Sequence, residues 1–360
     1  MKKLLHPLTI TFLVLMFIIS LPFMLHKHTV RLTDAQLRKA AANHNLVPVP
    51  KTYEGMLKAS DNPKNPLGKA KIALGKQLFF DTRLSRDNTI NCASCHILNE
   101  GGDDNLPTAI GYHGRANPHH LNSPTVFNAA LAKAQFWNGR AKDVEEQAGG
   151  PVQAPFEMNM TPREVEARLN ADAAMRQQFE TVFGDSNITF ENVRKAIGAY
   201  ERTLLTRGAY DRFLEGDDQA ISPAAKRGMT LFVTQGCSGC HTGMSVGGQS
   251  IQKFPLRHYE GDYLGLLFEP RLSIRTSPFP FANKGGFLGR NDNLRFRVPI
   301  LRNITRTAPY FHNGAVDKIE EAVRIMSKYQ LGNEFTPEQI DDVVAFLKTL
   351  EGDPVPYKIK

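Results

Sequence analysis

The chain has 360 residues, of which 41% are hydrophobic and 22% charged, and its formal net charge is +8. This length has room for two domains with their own cores, and the ordinary composition excludes a disordered chain or a protein with many membrane spans. Four positive charges precede the folded part, and no Lys/Arg run with interleaved aromatic residues follows, so the sequence predicts no nucleic-acid partner.

The first thirty residues, 1–30, begin with Lys2 and Lys3 and become apolar from Leu8 to Leu25. This pattern predicts an export signal, so we expect the folded part in the periplasm. Two forms stay open, a cleaved signal peptide and an uncleaved N-terminal membrane anchor. The apolar run is long for a signal peptide, Pro22 interrupts it, and no small-x-small cleavage site follows.

All four cysteines lie in two blocks, CASCH at 92–96 and CSGCH at 237–241. Four cysteines in an exported protein ordinarily suggest two disulfides, but each pair here is separated by two residues and followed at once by a histidine. A zinc site would need further Cys or His pairs nearby, and a thioredoxin-like motif does not need the histidine. Cys-x-x-Cys-His is the attachment signature of c-type haem, in which the histidine becomes an iron ligand. The sequence therefore predicts two covalently bound haem c groups, attached through Cys92, Cys95, Cys237 and Cys240, with His96 and His241 as proximal ligands.

Similar phrases precede the two blocks, LGKQLFF at 74–80 and RGMTLFV at 227–233, and predict two related halves. Capping-box patterns at Thr161 and Thr336 predict helix starts, and an amphipathic stretch at 188–216 links the halves. Little period-2 pattern occurs. The predicted fold is therefore mainly α, with two cytochrome-c-like haem domains at 50–205 and 206–350 and with long loops at 97–125 and 242–300.

Further phrases occur in order around these blocks: NSPTVFNAA, FWNGRAKDVEEQAGGPVQAPFEM and VPILRNITRTAPYFHNGAVDKIEEAVRIM. Together they resemble the bacterial di-haem cytochrome c peroxidases, a family related to the MauG proteins. The resemblance implies an oxidoreductase that reduces hydrogen peroxide to water with electrons from a small redox protein, a cytochrome c or a cupredoxin. It also implies a homodimer.

The resemblance implies that the N-terminal haem is peroxidatic, with three assisting side chains. Glu157 would move a proton between the two peroxide oxygens, Gln147 would orient peroxide by hydrogen bonding, and Trp137 would pass electrons between the haems. From the residues alone, Glu157 and Gln147 match the common case of solvated polar side chains, and the alternative for Trp137 is an interdomain packing anchor.

The resemblance makes the C-terminal haem the centre that receives electrons, with Met326 as the sixth iron ligand that raises its potential. The alternative for Met326 is a core position in an apolar helix stripe. The family also binds Ca²⁺ at the domain interface, which implies the side chain of Asn122 and the backbone carbonyls of Thr307 and Pro309 as ligands.

One position departs from the family pattern. A distal histidine commonly follows an Ile-Gly pair, but here Ile110 and Gly111 are followed by Tyr112 and only then by His113. We expect His113 as the resting distal ligand, with His119 or His120 as substitutes. The alternative is a site that is open or covered by tyrosine at rest and needs no reductive activation.

Two other functions remain in competition. One is a MauG-like oxidase that modifies a partner protein, although those proteins place tyrosine where Met326 is available here. The other is a non-catalytic di-haem electron carrier, which needs no carboxylate above an open haem.

Overall fold

A computed structural model describes residues 31–257 and 277–355. The predicted signal or anchor at 1–30 lies outside the described residues. The chain is mainly α, as predicted, and its elements from Thr33 onward belong to one compact unit. Its α-helices are Asp34–Asn43 (α1), Tyr53–Ala59 (α2), Lys69–Phe79 (α3), Val144–Gln153 (α4), Pro162–Asn170 (α5), Ala173–Phe183 (α6), Phe190–Glu201 (α7), Ala209–Leu214 (α8), Pro223–Thr234 (α9), Ile319–Ile325 (α10) and Pro337–Lys348 (α11).

The strands are short and form two antiparallel pairs. Ile110–Gly111 (β1) pairs with Arg115–Ala116 (β2), and Ile251–Lys253 (β3) pairs with Arg295–Arg297 (β4), with Ile251 opposite Arg297. Both pairs lie in the long loops that the sequence predicts. In the part of the chain that the structure describes, no helix has the length and apolar character needed to cross a membrane.

The helices begin where the capping patterns predict. Thr161 accepts a hydrogen bond from the amide of Glu164 at the start of α5, and Thr336 accepts one from the amide of Gln339 at the start of α11. Because the reciprocal side-chain bonds are also present, both starts are complete capping boxes, with proline in the first turn.

The two halves use the same helix crossing beside their cysteine blocks. In the first half α3 packs on α7, and in the second α9 packs on α11. A Cβ at Gly75 would lie 1.9 Å from the carbonyl oxygen of Ala196, and one at Gly228 would lie 1.8 Å from that of Asp342. Only glycine permits such close approach of the backbones, so the sequence echo reflects a shared packing device.

Separate hydrophobic cores support the two halves. One core is built from side chains between Ile72 and Leu204, and another from side chains between Phe279 and Tyr329. These cores lie on opposite sides of the predicted boundary between residues 205 and 206, which stays a prediction.

Candidate active site

Each cysteine block forms a single tight turn. Cys92–Ser94 and Cys237–Gly239 are 3₁₀ turns, and the amide of the following histidine donates to the carbonyl of the first cysteine, at 3.0 Å for His96 and 3.1 Å for His241. In each block, both cysteines and the histidine line one common cavity. Two thiols and an imidazole at one cavity are the arrangement that attachment of a c-type haem needs.

The thiols do not have the character of a redox pair. No disulfide joins the four cysteines. Burial raises the pKa of the Cys95 and Cys237 thiols to about 12, and it also raises those of Cys92 and Cys240. Catalytic thiols of disulfide oxidoreductases have a lowered pKa, so the thioredoxin-like alternative has no support in the structure.

The two histidines are in the form that binds iron. Burial lowers the pKa of His96, and it lowers that of His241 to about 4, so both imidazoles are neutral at pH 7. Nδ1 of His96 lies 3.2 Å from the carbonyl oxygen of Gly102; donation there leaves Nε2 free for iron. His241 faces the backbone of Val246 and Pro299, although no contact at its Nδ1 reaches hydrogen-bond geometry.

The N-terminal cavity, defined by Cys92, Cys95 and His96, also holds both predicted peroxide-handling residues. Gln147 and Glu157 line this cavity. The side chain of Asp143 accepts from the amide of Glu146 and caps α4, which carries Gln147. Glu157 follows α4 in a turn closed by donation from its amide to the carbonyl of Ala154, at 3.0 Å. The structure therefore brings the first cysteine block and the two polar residues together.

Two opposing effects act on Glu157. Burial raises the pKa of this carboxyl group, and the positive charge of Arg140 lowers it. Arg140 lines the same cavity, with its guanidinium carbon 3.4 Å from the centre of the Phe136 ring. The net effect is a raised pKa, and a carboxyl group whose pKa is moved towards neutral pH is better suited to accept and return a proton.

A second carboxyl group of this cavity is not predicted by the sequence analysis. Glu201, at the end of α7, is buried and lines the N-terminal cavity. Burial, followed by the negative charge of Glu145, raises its pKa to about 8. The group is therefore mostly neutral at pH 7.

The C-terminal cavity, defined by Cys237, Cys240 and His241, is also lined by Met326. α10 ends at Ile325, and the chain continues as a π-helical turn, Met326–Leu331. Single π-helical turns of this kind occur frequently at functional sites. The side chain of Met326 is half-buried and available to this cavity.

Trp137 and Asn122 line both cavities. Nε1 of Trp137 donates to the backbone carbonyl of Asn122 at 2.8 Å, which fixes the indole ring in the wall between the cavities. Thr307 and Pro309 line the C-terminal cavity, and Nδ2 of Asn122 lies 2.6 Å from the carbonyl oxygen of Pro309. The predicted electron relay and the predicted calcium ligands therefore lie at one wall.

The loop with the departure from the family pattern reaches the N-terminal cavity through Ile110 and Gly111, but not through the two residues that follow them. His113 is exposed, and neither it nor Tyr112 lines the N-terminal cavity. The amide of Tyr112 donates to the carbonyl of Glu157 at 2.7 Å, and a Cβ at Gly111 would lie 2.0 Å from the Phe156 carbonyl oxygen. His119 and His120 are also absent from the lining. The role of His113 as resting ligand stays a prediction, and it requires this loop to move.

Comparison with known proteins identifies the family. The family model for di-haem cytochrome c peroxidase matches residues 69–219, and the model for cytochrome c matches residues 225–351. The cytochrome c551 peroxidase of Pseudomonas aeruginosa is 41% identical over 293 residues, covering 80% of each chain. This chain belongs to the di-haem cytochrome c peroxidase family. The predicted enzyme class and the haem c cofactors are thereby confirmed.

This di-haem peroxidase also has MauG relatives. The methylamine utilization protein MauG of Methylorubrum extorquens is 34% identical over 311 residues, covering 81% of this chain and 82% of that one. Among solved structures, a MauG-like protein associated with microbial copper homeostasis superposes with a TM-score of 0.66 at 26% identity. That match covers 81% of this chain and 92% of the other.

Three charged residues of the site escape the sequence analysis: Arg140, Glu201 and Arg297. Each is a single ionisable residue that does not belong to a recognisable motif with a defined spacing. Their relation to the cavities depends on packing between distant segments. Arg140 lies in the family phrase FWNGRAKD, so that phrase is the only sequence signal for any of the three.

Proposed function

We propose that this di-haem peroxidase reduces hydrogen peroxide to two water molecules in the N-terminal cavity, with electrons received through the haem of the C-terminal cavity. One observation supports these separate roles of the two cavities. Glu157 and Gln147 line the cavity of the first cysteine block, and Met326 lines the cavity of the second. A small redox protein, a cytochrome c or a cupredoxin, would supply the electrons.

A haem held by Cys92, Cys95 and His96 would supply an iron centre for peroxide binding and electron transfer. Glu157 accepts the proton of one peroxide oxygen and returns it to the other, so that the O–O bond breaks and water leaves. The side-chain amide of Gln147 donates a hydrogen bond that orients peroxide. Two electrons and two further protons complete the conversion of one peroxide to two waters.

Trp137 is the side chain best suited to connect the two haems. It lines both cavities, and its indole is held by the hydrogen bond to the carbonyl of Asn122. A rigid aromatic ring in the shared wall supports electron transfer from the C-terminal to the N-terminal haem. Its large contact area also makes it a packing anchor, and the two roles are compatible.

Replacing Met326 by Leu is expected to lower the reduction potential of the C-terminal haem. A thioether ligand raises the potential, and axial ligands set haem potentials over a range of about 0.8 V, so we expect a fall of ~0.1 V or more. Spectroelectrochemical titration measures this change. Val323→Ala is the matched control, because Val323 precedes Met326 by one helical turn and lines the same cavity without a ligating atom. An unchanged potential in Met326→Leu would make Met326 a core residue only.

We further propose Ca²⁺ in the wall between the cavities, held by Asn122, Thr307 and Pro309. Asn122 is buried, and its Oδ1 has no hydrogen-bond partner. Rotation of the amide by 180° exchanges Oδ1 with Nδ2 and directs an oxygen to the side of the Pro309 carbonyl. Amide and carbonyl oxygens suit a hard cation. Among the described residues no cluster of three or more His, Cys, Asp or Glu is poised to hold a metal, so these neutral oxygens carry the proposal.

Removing calcium with a chelator is expected to lower the melting temperature of the oxidised protein, and Ca²⁺ but not Mg²⁺ should restore it. At a hundredfold excess over the dissociation constant, a bound ion stabilises the folded state by about 2.7 kcal/mol. Asn122→Leu should abolish the calcium-dependent shift and the calcium content found by elemental analysis, whereas Asn122→Asp keeps an oxygen ligand and should retain both. Equal calcium content in all three proteins would contradict the assignment.

We also propose that the protein lies in the periplasm, with or without an N-terminal anchor, and that it forms a homodimer. The protein-modifying alternative is less well supported, because the C-terminal cavity retains a methionine at the position where MauG proteins use tyrosine. A non-catalytic electron carrier would not need a carboxyl group in the N-terminal cavity, so this alternative does not explain the position of Glu157.

A further inference from the structure

Arg297 is a buried cation at the end of strand β4. It is 3% exposed, and it lines the C-terminal cavity. Burial lowers its pKa only to about 10, so the guanidinium group is charged at pH 7.

The contacts of Arg297 do not neutralise this charge. Its backbone amide donates to the carbonyl of Trp137 at 2.7 Å, and its Nε donates to the carbonyl of Phe136 at 3.3 Å. Its Nη1 is buried without a hydrogen-bond partner. Over the described ranges no carboxylate forms an ion pair with Arg297, and Asp103, the acidic residue lining the same cavity, does not perturb its pKa.

An unpaired cation in a protein interior is costly, because it loses its hydration without gaining a counter-charge. Buried arginines are therefore normally matched by a carboxylate or a phosphate, which their planar fork binds through two hydrogen bonds. The ligand indicated by the cysteine block of this cavity is a haem, whose two propionate groups are carboxylates. The cofactor would thus supply the anion that the described residues lack at Arg297.

We propose that Arg297 is the counter-ion of a propionate of the C-terminal haem and that this pair raises the reduction potential of that haem. The inference rests on the haem assignment of the C-terminal cavity and goes beyond the proposed reaction. A cation beside the haem favours the reduced iron, because reduction removes one positive charge from the centre that it repels. The side chain of Arg297 also donates to the carbonyl of Phe136, and its backbone amide donates to that of Trp137, so the residue connects the propionate site to the wall shared by the two cavities.

Arg297→Gln tests the proposal in the protein with both haems attached. Loss of the cation leaves an uncompensated propionate near the iron, so the reduction equilibrium constant of the C-terminal haem should fall about tenfold, which is 59 mV for one electron. The propionate bending band of the C-terminal haem in the resonance Raman spectrum should shift as well. Arg297→Lys keeps the charge but loses the fork, so it should shift the Raman band while leaving the potential near that of the unchanged protein.

Arg227→Gln is the matched control. Arg227 lies on α9 in the same half, but it is half-exposed and paired with Asp342, so its loss should change neither the potential nor the Raman band. If Arg297→Gln lowers the melting temperature but leaves both readings unchanged, Arg297 only secures the Phe136 carbonyl and the proposal is overturned. If Arg297→Gln does not fold, an unchanged Raman band in Arg297→Lys overturns it equally. None of these measurements uses peroxide, so their result is independent of the proposed reaction.

Discussion

Replacing Glu157 by Gln is expected to lower peroxide turnover by about 10²–10⁴-fold, the usual contribution of a positioned acid–base group. Gln has nearly the same size and shape as Glu but cannot accept and return a proton. The variant should therefore keep both haems and their absorption spectra. Steady-state turnover with a reduced cytochrome c as electron donor measures the loss.

The pH dependence of peroxide turnover, measured for the unchanged protein and for Glu157→Gln, is a second test of the role of Glu157. Burial raises the pKa of Glu157, and the carboxylate form must be present to accept the peroxide proton. Turnover of the unchanged protein should therefore fall as the pH drops through this raised pKa, and the residual turnover of Glu157→Gln should lack that limb.

Glu180→Gln is the control for the loss of one carboxylate. Glu180 lies on the exposed side of α6, away from the residues that line either cavity, and its replacement should leave turnover unchanged. Undiminished turnover in Glu157→Gln would remove Glu157 from the mechanism. It would also point to a different proton acceptor, and Glu201 is the other carboxyl group that lines the cavity.

The sequence alone was sufficient for features whose cause is local. The haem blocks need two thiols and an imidazole within five residues, and the helix starts at Thr161 and Thr336 need a side chain and an amide three residues apart. Chemistry of this kind is fully contained in a short window of sequence. The structure agrees with all of these predictions, and the relatives confirm the family that the phrases suggest.

Features that depend on packing between distant segments could not be predicted from the residues. Glu157 and Met326 resemble a surface glutamate and a core methionine until the resemblance directs attention to their positions. Arg140, Glu201 and Arg297 have no such guide. Their electrostatic character comes from burial, which is a property of the assembled fold rather than of the residues beside them in sequence.

The loop at Gly111 and Tyr112 is a feature that the sequence could predict only in part. Here the sequence identifies the position where the chain departs from its family, but not the physical outcome. The structure shows the loop bound to the backbone that carries Glu157, with His113 outside the cavity. The hydrogen bond from the Tyr112 amide to the Glu157 carbonyl holds the residue that precedes His113, so it opposes movement of His113 to the haem. If His113 is the resting ligand and Glu157 the acid–base group, as predicted, this backbone contact would link the two roles.

Paired cysteine replacements are expected to remove one haem each and leave the other attached. Cys92→Ala with Cys95→Ala should abolish peroxide turnover completely but retain the C-terminal haem with its own potential. Cys237→Ala with Cys240→Ala should retain the peroxidatic haem but lose turnover supported by a reduced donor protein. Intact-mass spectrometry and the haem-to-protein ratio measure the number of attached groups, which should fall from two to one in each variant.

Two of the hydrophobic clusters favour independent losses, although a third, around Met56 and Leu205, is packed by Leu131 and Met244 from the two halves. Side chains between Ile72 and Leu204 support the first block, whereas a separate core between Phe279 and Tyr329 lies in the second half. A haem missing from one half should therefore leave the packing around the other block largely intact. A control with Ser94→Ala and Ser238→Ala, which alters both blocks but keeps every thiol, should retain two haems. Loss of both haems from either paired cysteine variant would contradict the predicted boundary at residues 205 and 206, because it would show that the halves fold only together.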